Sequence, residues 1–504
     1  MNYDAAISKY DPVFGIEVHV EMATRTKMFC PAPNPAFDNT AENLKNPNTM
    51  TTPVSLGLPG ALPVLNRQTV EYAIMIGLAL NCEIAPVSVF SRKNYFYPDL
   101  TKNFQTSQYD SPTCINGYLD VELEDGEVFR VEIERAHLEE DAGKNTHIGG
   151  ESGRIHGADY SLVDYNRAGV PLVEIVTRPV FNTGKRAPEV AAAYVRSLRD
   201  IFKALGVSRA QMERGNVRAD VNLSLSSKSS GTLGTRTETK NVNSFNAIAL
   251  AMQYEITRQA DLLDAGKKIL QETRHWHEDT KSTSAGRPKS DADDYRYFPE
   301  PDLLPLKVDS AWVERVRSML PEMPAERKKR LQAEYNYTDL EMRDVVNAGA
   351  LDVIGETVKA GASASGARKW WMTSLANYAS TSSLTLDEIA QRVVTPQQVA
   401  ELQALIDSGG INDKIARTVL DAVIAHEGNP KEIVEKRGLK VVSDDSALIA
   451  AIQDAFARLP KTKEDIANGN AGAAGPIIGM VMKATKGQAN GSRVRELILQ
   501  EAAK

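Results

Sequence analysis

Residues Gly15–Met22 read GIEVHVEM. On a β-strand, successive side chains point to opposite faces. Ile16, Val18 and Val20 then share one face, and Glu17, His19 and Glu21 the other. Two carboxylates and an imidazole in line suit a divalent cation, or acid–base chemistry, on the open face of a sheet. Similar stripes recur along the chain. In VRADVNLSL, Arg218, Asp220, Asn222 and Ser224 face away from Val217, Ala219, Val221 and Leu223. In TRTETK, Arg236, Glu238 and Lys240 share a face. The run HLEED sets Glu139, Glu140 and Asp141 beside His137.

The mixed signs narrow the chemistry. Acids alone suggest metal binding, and bases alone suggest phosphate binding. Together they suit Mg²⁺ with a nucleotide, where hard oxygens hold the metal and Arg or Lys neutralises phosphate. Phosphoryl transfer asks a protein chiefly for positioning and charge stabilisation. The competing reading is a set of solvated strand faces with cross-strand ion pairs. Four such segments, two of them with a histidine, favour a site. His19 and His137 could also serve zinc, but the chain has no Cys-x-x-Cys or His-x-x-x-His spacing. It has no Walker A sequence, no G-x-G-x-x-G run and no Gly-x-Ser-x-Gly elbow. ATP, if used, is expected on a sheet rather than in a P-loop.

Two further segments stand out. Ser91–Gln108 interleaves Arg92, Lys93 and Lys102 with Tyr95, Phe96, Tyr97 and Phe104. Such a segment can stack a base and hold phosphate, or it can be a packed loop with lysines reaching for solvent. Arg274–Tyr297, with Lys281, Arg287 and Lys289, reads as a long polar loop, either a flexible cover or plain surface. His275 and His277, flanking Trp276, read as structural, and His147 and His156 as surface or packing residues.

These residues need a scaffold. Leu119–Glu124 and Glu127–Glu134 flank Asp125-Gly126, a hairpin signal. Pro188–Leu205 repeats apolar residues at helical spacing and meets Gly206, a C-terminal stop. Ser244–Ala265 does the same before Gly266. Strands with occasional helices predict an α+β fold with a largely antiparallel sheet. After a boundary at Leu303–Pro305, within the Pro-rich FPEPDLLP, the pattern turns helical, over Trp312–Met319, Ala325–Tyr335, Leu340–Ala348 and Leu351–Ala360. A second break is expected near Ser408-Gly409-Gly410, and Asn412–Lys504 reads as short helices around a loose Asn468–Gly475. The expected regions are 1–303, 304–408 and 409–504.

Composition excludes some classes. The net charge of −7 rules out a globally basic nucleic-acid coat, though a local basic patch would suffice for binding. Three cysteines, Cys30, Cys82 and Cys114, give no disulfide framework and suggest a reducing compartment. MNYDAAISKYD lacks an apolar signal core, and the longest apolar stretch, near Ala73–Leu80, is too short to span a bilayer. The expectation is a soluble, cytoplasmic protein that does not engage a membrane.

The segments GIEVHVEM, SLGLPGALPVLN, RKNYFYPDL, HLEEDAGK, YNRAGVPLVEIV, ADVNLSL, TRTETKNVNSF and DADDYRYFPEPDL occur in order over residues 11–306. Together they resemble the B subunit of aspartyl/glutamyl-tRNA amidotransferase, and GMVMKATKGQAN resembles that family's tail. The resemblance implies a catalytic cradle similar in fold to glutamine synthetase over 1–303, a helical domain, and a tRNA-contacting helical tail. It implies that ATP phosphorylates the side-chain carboxylate of Glu-tRNA(Gln) or Asp-tRNA(Asn). Ammonia from a glutaminase A subunit then displaces the phosphate, and a small C subunit clamps A and B together. By motif, the family's Mg²⁺ ligands fall on Glu17, His19, Glu139 and Glu140. Strand facing adds Lys93, Arg218 and Arg236 for phosphate charge, and Asp220 and Asn222 for the second metal shell or the ammonia path.

The chain departs from the family pattern in two places. Some members carry a zinc knuckle; here only Cys30 remains, with Ala32, Thr52 and Ser55 in the other places, so structural zinc is not expected. The tail reads GMVMK where the family commonly has Gln before VMK. Two other functions compete. One is a non-enzymatic RNA-binding adaptor working through Arg327–Arg330 and Lys483–Arg495. The other is a free-standing ATP-dependent amide ligase. The chain has no glutaminase constellation, so amide chemistry would need a partner.

Overall fold

The computed structural model describes residues 1–37, 46–149, 157–212, 215–288, 295–382, 384–439, 445–485 and 489–503. It divides into two compact units, Met1–Arg327 and Lys328–Lys504.

The first unit is built on a nine-stranded sheet. In chain order its strands are β1 (Tyr10–Glu21), β2 (Glu83–Ile84), β3 (Cys114–Glu122), β4 (Val128–Glu140), β5 (Pro171–Thr177), β6 (Val217–Ser227), β7 (Thr237–Lys240), β8 (Glu272–His277) and β9 (Ser282–Pro288). Across the sheet they run β9-β8-β7-β6-β1-β5-β4-β3-β2. Every neighbouring pair is antiparallel except β7–β8, which is parallel. The fold is therefore α+β with a mixed sheet.

The alternation of GIEVHVEM places its apolar half as expected. Ile16, Val18 and Val20 are buried in one core with Tyr194, Val195 and Leu198, and with Ile248, Met252 and Ile256. Those partners lie on helices α2 (Ala187–Leu205) and α3 (Phe245–Asp264); α1 (Arg67–Ala79) adds Val70 and Ile74 to the same core. Gly206 ends α2 at φ +67, a left-handed conformation that costs glycine nothing. Ser244 caps α3 by accepting from the Ala247 N–H. The Asp125-Gly126 turn joins β3 to β4, with Gly126 at φ +89.

One reading fails here. The polar segment read as a loop from Arg274 contains β8 and β9, a hairpin on the sheet edge. One of its charges is hidden by pairing, while Glu278, Asp279 and Lys281 at its turn are exposed. Arg274, 8% exposed, donates to buried Glu255 of α3 at 2.9 Å, and Thr283 donates to the same carboxylate at 2.5 Å. Lys289 and His156 lie outside the described residues, as do residues 291–294. Beyond the sheet, Leu303 and Leu306 still pack on the first core.

The second unit is helical. Leu331–Val434 supply one core, drawing residues from both sides of Ser408, and Leu448–Ala502 supply another. Within the first of these, capping boxes start the helices at Thr338, Thr385 and Thr395.

Candidate functional site

The polar half of β1 faces away from the helices, and register decides what it meets. His19 sits opposite Glu174 of β5 on one side and Arg218 of β6 on the other, while Glu17 sits opposite Asp220. His137 of β4 also sits opposite Glu174. Directly opposed residues in a sheet share a face, so these charges converge.

Two carboxylate groups result. In the first, donor atoms of His19, Glu139 and Glu174 lie within 4.8 Å of one another. Glu174 stands between two imidazoles, 3.1 Å from His137 Nε2 and 3.6 Å from His19 Nε2. Glu139 accepts from Ser107 Oγ at 2.7 Å and from Gln105 Nε2. In the second group, donor atoms of Glu17, Asp220 and Glu238 are likewise within 4.8 Å. Lys240 Nζ lies 2.7 Å from Asp220, and Asn222 donates to Glu17 at 2.9 Å.

The electrostatics follow from burial and proximity. Burial disfavours every charge here, but opposite neighbours overcome it. Burial would neutralise His19 and His137, yet Glu174 raises the pKa of both. Burial would likewise protonate Glu174, but the two imidazoles hold it well below the ordinary carboxylate range. Lys93, on the strand Ser91–Asn94, resists burial through Glu139, then Tyr297 and Glu174, and its pKa is raised. Glu139 is held low, chiefly by Lys93 acting against burial.

The other predicted residues divide. Glu140 is ion-paired with Lys102 and accepts from the Thr106 N–H at 2.9 Å, outside both groups. Arg218 binds Asp141 at 2.8 Å. Glu21 accepts from Asn216 at 3.0 Å, and its carboxyl is pushed up to about 7 by burial and then by Asp141. Asp220 and Asn222 belong to the second group. Arg236 lies exposed just before β7. Sequence reading gave no role to Glu174. Its signal was available: one carboxylate in the otherwise apolar run PLVEIV.

The donor chemistry fits a hard divalent cation. The first group offers two carboxylates and one imidazole, and the second offers carboxylates alone. His137 Nδ1 is buried with no hydrogen-bond partner, while its Nε2 faces Glu174 and Glu139. Thr52 and Ser55 bond each other, the Thr52 N–H donating to Ser55 Oγ at 2.8 Å.

Comparison with known proteins agrees along the whole chain. Residues 12–314 match the GatB/GatE catalytic domain, and residues 352–501 match the GatB domain. The aspartyl/glutamyl-tRNA(Asn/Gln) amidotransferase B subunit of Paenarthrobacter aurescens (strain TC1) is 60% identical over 501 residues, covering 99% of this chain and 98% of the relative. The corresponding B subunits of Nocardioides sp. (strain ATCC BAA-499 / JS614) and Streptomyces avermitilis are 58% and 56% identical, each over 99% of this chain and 99% and 97% of the relative.

Proposed function

This chain belongs to the family of aspartyl/glutamyl-tRNA(Asn/Gln) amidotransferase B subunits, and from that premise we propose how its sheet face performs the reaction. The enzyme is a tRNA-dependent amidotransferase, a ligase that takes its amide nitrogen from glutamine and uses ATP. It converts misacylated Glu-tRNA(Gln) or Asp-tRNA(Asn) to Gln-tRNA(Gln) or Asn-tRNA(Asn). In our reading, the γ-phosphoryl group passes from ATP to the side-chain carboxylate. Ammonia then attacks that acyl phosphate, the amide C–N bond forms, and phosphate leaves.

The observation that carries this reading is the meeting of two carboxylate groups on one sheet face with Lys93, brought to Glu139 by a separate three-stranded sheet. His19, Glu139 and Glu174 would hold Mg²⁺, with Glu17, Asp220 and Glu238 as an adjoining oxygen set. When bound, the metal neutralises phosphate charge and orients the phosphoryl group. Glu140 would join it only by leaving Lys102. Lys93 supplies a half-buried positive charge beside Glu139 for the transferring phosphate. Lys240 offsets part of the charge of the second group between turnovers. Arg218 holds Asp141, shaping the far end of the polar stripe. A cradle similar in fold to glutamine synthetase suits this chemistry, since both reactions aminate an acyl phosphate.

The remaining assignments belong to the same proposal. A glutaminase A subunit delivers ammonia and a small C subunit joins the complex, the tail past residue 408 contacts tRNA, and structural zinc is not used. No described helix is long and apolar enough to cross a membrane. We assign the reaction to the cytoplasm.

The test supplies the assembled complex with Glu-tRNA, ATP, Mg²⁺ and ammonium chloride in place of glutamine. ADP release and Gln-tRNA formation are expected. His19→Ala and Glu139→Ala should abolish both while tRNA remains bound. Unchanged turnover in those variants would sink the metal assignment.

A further inference from the structure

Lys93 has a second set of neighbours. Its strand pairs with Phe104–Ser107 on one side and Phe298–Pro299 on the other. The segment after residue 294 is pinned to that strand. Arg92 makes two bonds of 2.8 Å to Glu300, and Asn94 Nδ2 donates to the Arg296 carbonyl at 2.8 Å. This pinning sets Tyr295 over Lys93, whose Nζ lies 5.2 Å from the Tyr295 ring centroid, with Tyr297 nearby. The rings continue outward. Tyr295 meets Tyr95 and Tyr297 edge-on, each at 6.1 Å. Tyr297 stacks on Tyr109 with centroids 4.4 Å apart and planes 8° from parallel.

The stack ends in the open. Tyr109 is 44% exposed and stacks on Tyr297. Simple packing would close an aromatic cluster against the apolar core. This one instead lies between solvent and the charged groups. From Tyr109, ring contacts lead through Tyr297 to Tyr295, which lies against the Lys93 ammonium, and Lys93 neighbours Glu139 and Glu174 of the group suited to a divalent cation. A nucleotide presents base, phosphates and metal in that order. Aromatic rings hold bases by stacking, whatever their hydrogen-bonding edge.

We propose that Tyr109, backed by Tyr297, is the stacking platform for an adenine base whose phosphates point toward Lys93. The proposal rests on reading the sheet face as a phosphoryl-transfer site. Two substrates of that reaction carry such a base: ATP, and the terminal adenosine of the tRNA acceptor end. Stacking on the rings is the chemistry that both would share, and binding experiments separate the sources.

The test uses the assembled complex. ATP affinity is compared with that of inorganic tripolyphosphate, which has the phosphates and no base. In a second arm, uncharged tRNA is compared with the same tRNA lacking its 3′ adenosine. Tyr109→Ala should shrink one of these ratios by roughly five- to a hundred-fold, the range expected for one stacked base, and Tyr109→Trp should restore it. Collapse of the ATP ratio assigns the platform to ATP, and collapse of the tRNA ratio assigns it to the acceptor end. Unaltered tripolyphosphate affinity shows that the site is intact in the variant. If neither ratio moves with Ala, or if Trp fails to restore a ratio that Ala collapsed, the platform is overturned. A wild-type complex that releases no ADP overturns the phosphoryl-transfer reading instead, so the two failures are distinct.

Discussion

Replacing Glu174 by Gln removes one unit of charge from between His19 and His137 while keeping the side-chain shape. Two effects oppose each other. The cation loses a charged ligand, and the imidazoles lose the neighbour that keeps them protonated. At the observed 3.6 Å between His19 and Glu174, two unit charges attract by roughly 4–5 kcal/mol at an effective dielectric near 20. Most of that gross term is offset by desolvation and by the oxygen that Gln retains. A net loss of ten- to a hundred-fold in cation affinity is expected, comparable to what disturbing a ligand's support costs elsewhere.

The pH dependence gives the sign. In the native protein Glu174 raises the His19 pKa, so a cation must displace a proton at low pH. In Glu174→Gln the largest opposing charge is gone and only Asp220 and Glu139 act against burial, so the imidazole gives up its proton more readily. The variant therefore suffers least near pH 6, and its deficit widens toward pH 8–9, where only the missing ligand charge remains. Mn²⁺ binding by electron paramagnetic resonance, run from pH 6 to 9, reads this directly. Mg²⁺ dependence of ADP release by the complex checks it in turnover. Affinity equal to wild type, or a deficit that narrows as pH rises, would refute Glu174 as a ligand.

Three further outcomes follow from buried charges. Glu255, 1% exposed, serves Arg258 and Arg274 together; Glu255→Ala should cost about 3–5 kcal/mol in urea unfolding, and a loss under 1 kcal/mol would deny the network its role in anchoring β8 and β9. Lys27 is fully buried, and burial pushes its pKa down to about 8 from 10.5. The unfolded chain keeps that proton over the intervening window, so stability should rise by about 3 kcal/mol between pH 8 and 10.5. Lys27→Met should remove that rise, and parallel urea midpoints for both proteins across the window would contradict it. Glu140→Gln should disturb the Lys102 pair yet leave Mn²⁺ affinity within about threefold, less than 1 kcal/mol; a larger loss would return Glu140 to the ligand set.

Sequence legibility was greatest where periodicity was regular. The alternation of GIEVHVEM shows in the burial of Ile16, Val18 and Val20, and Asp125-Gly126 and Gly206 mark a turn and a helix end because few residues adopt φ > 0. Reading stopped where pairing hides charge. Arg274 and Glu255 neutralise each other inside the fold, so an edge hairpin carries the composition of a loop. At the site the limit was register. Facing along one strand says which side chains share a side, but not which strand lies alongside. Only the β1–β5 pairing brings Glu174 to His19, and only β6 and β7 bring Asp220 and Glu238 to Glu17. The polar stripe of β1 is therefore shared between two groups rather than belonging to one. Glu17 and His19 are neighbours on the strand, yet each takes its partners from a different side of it.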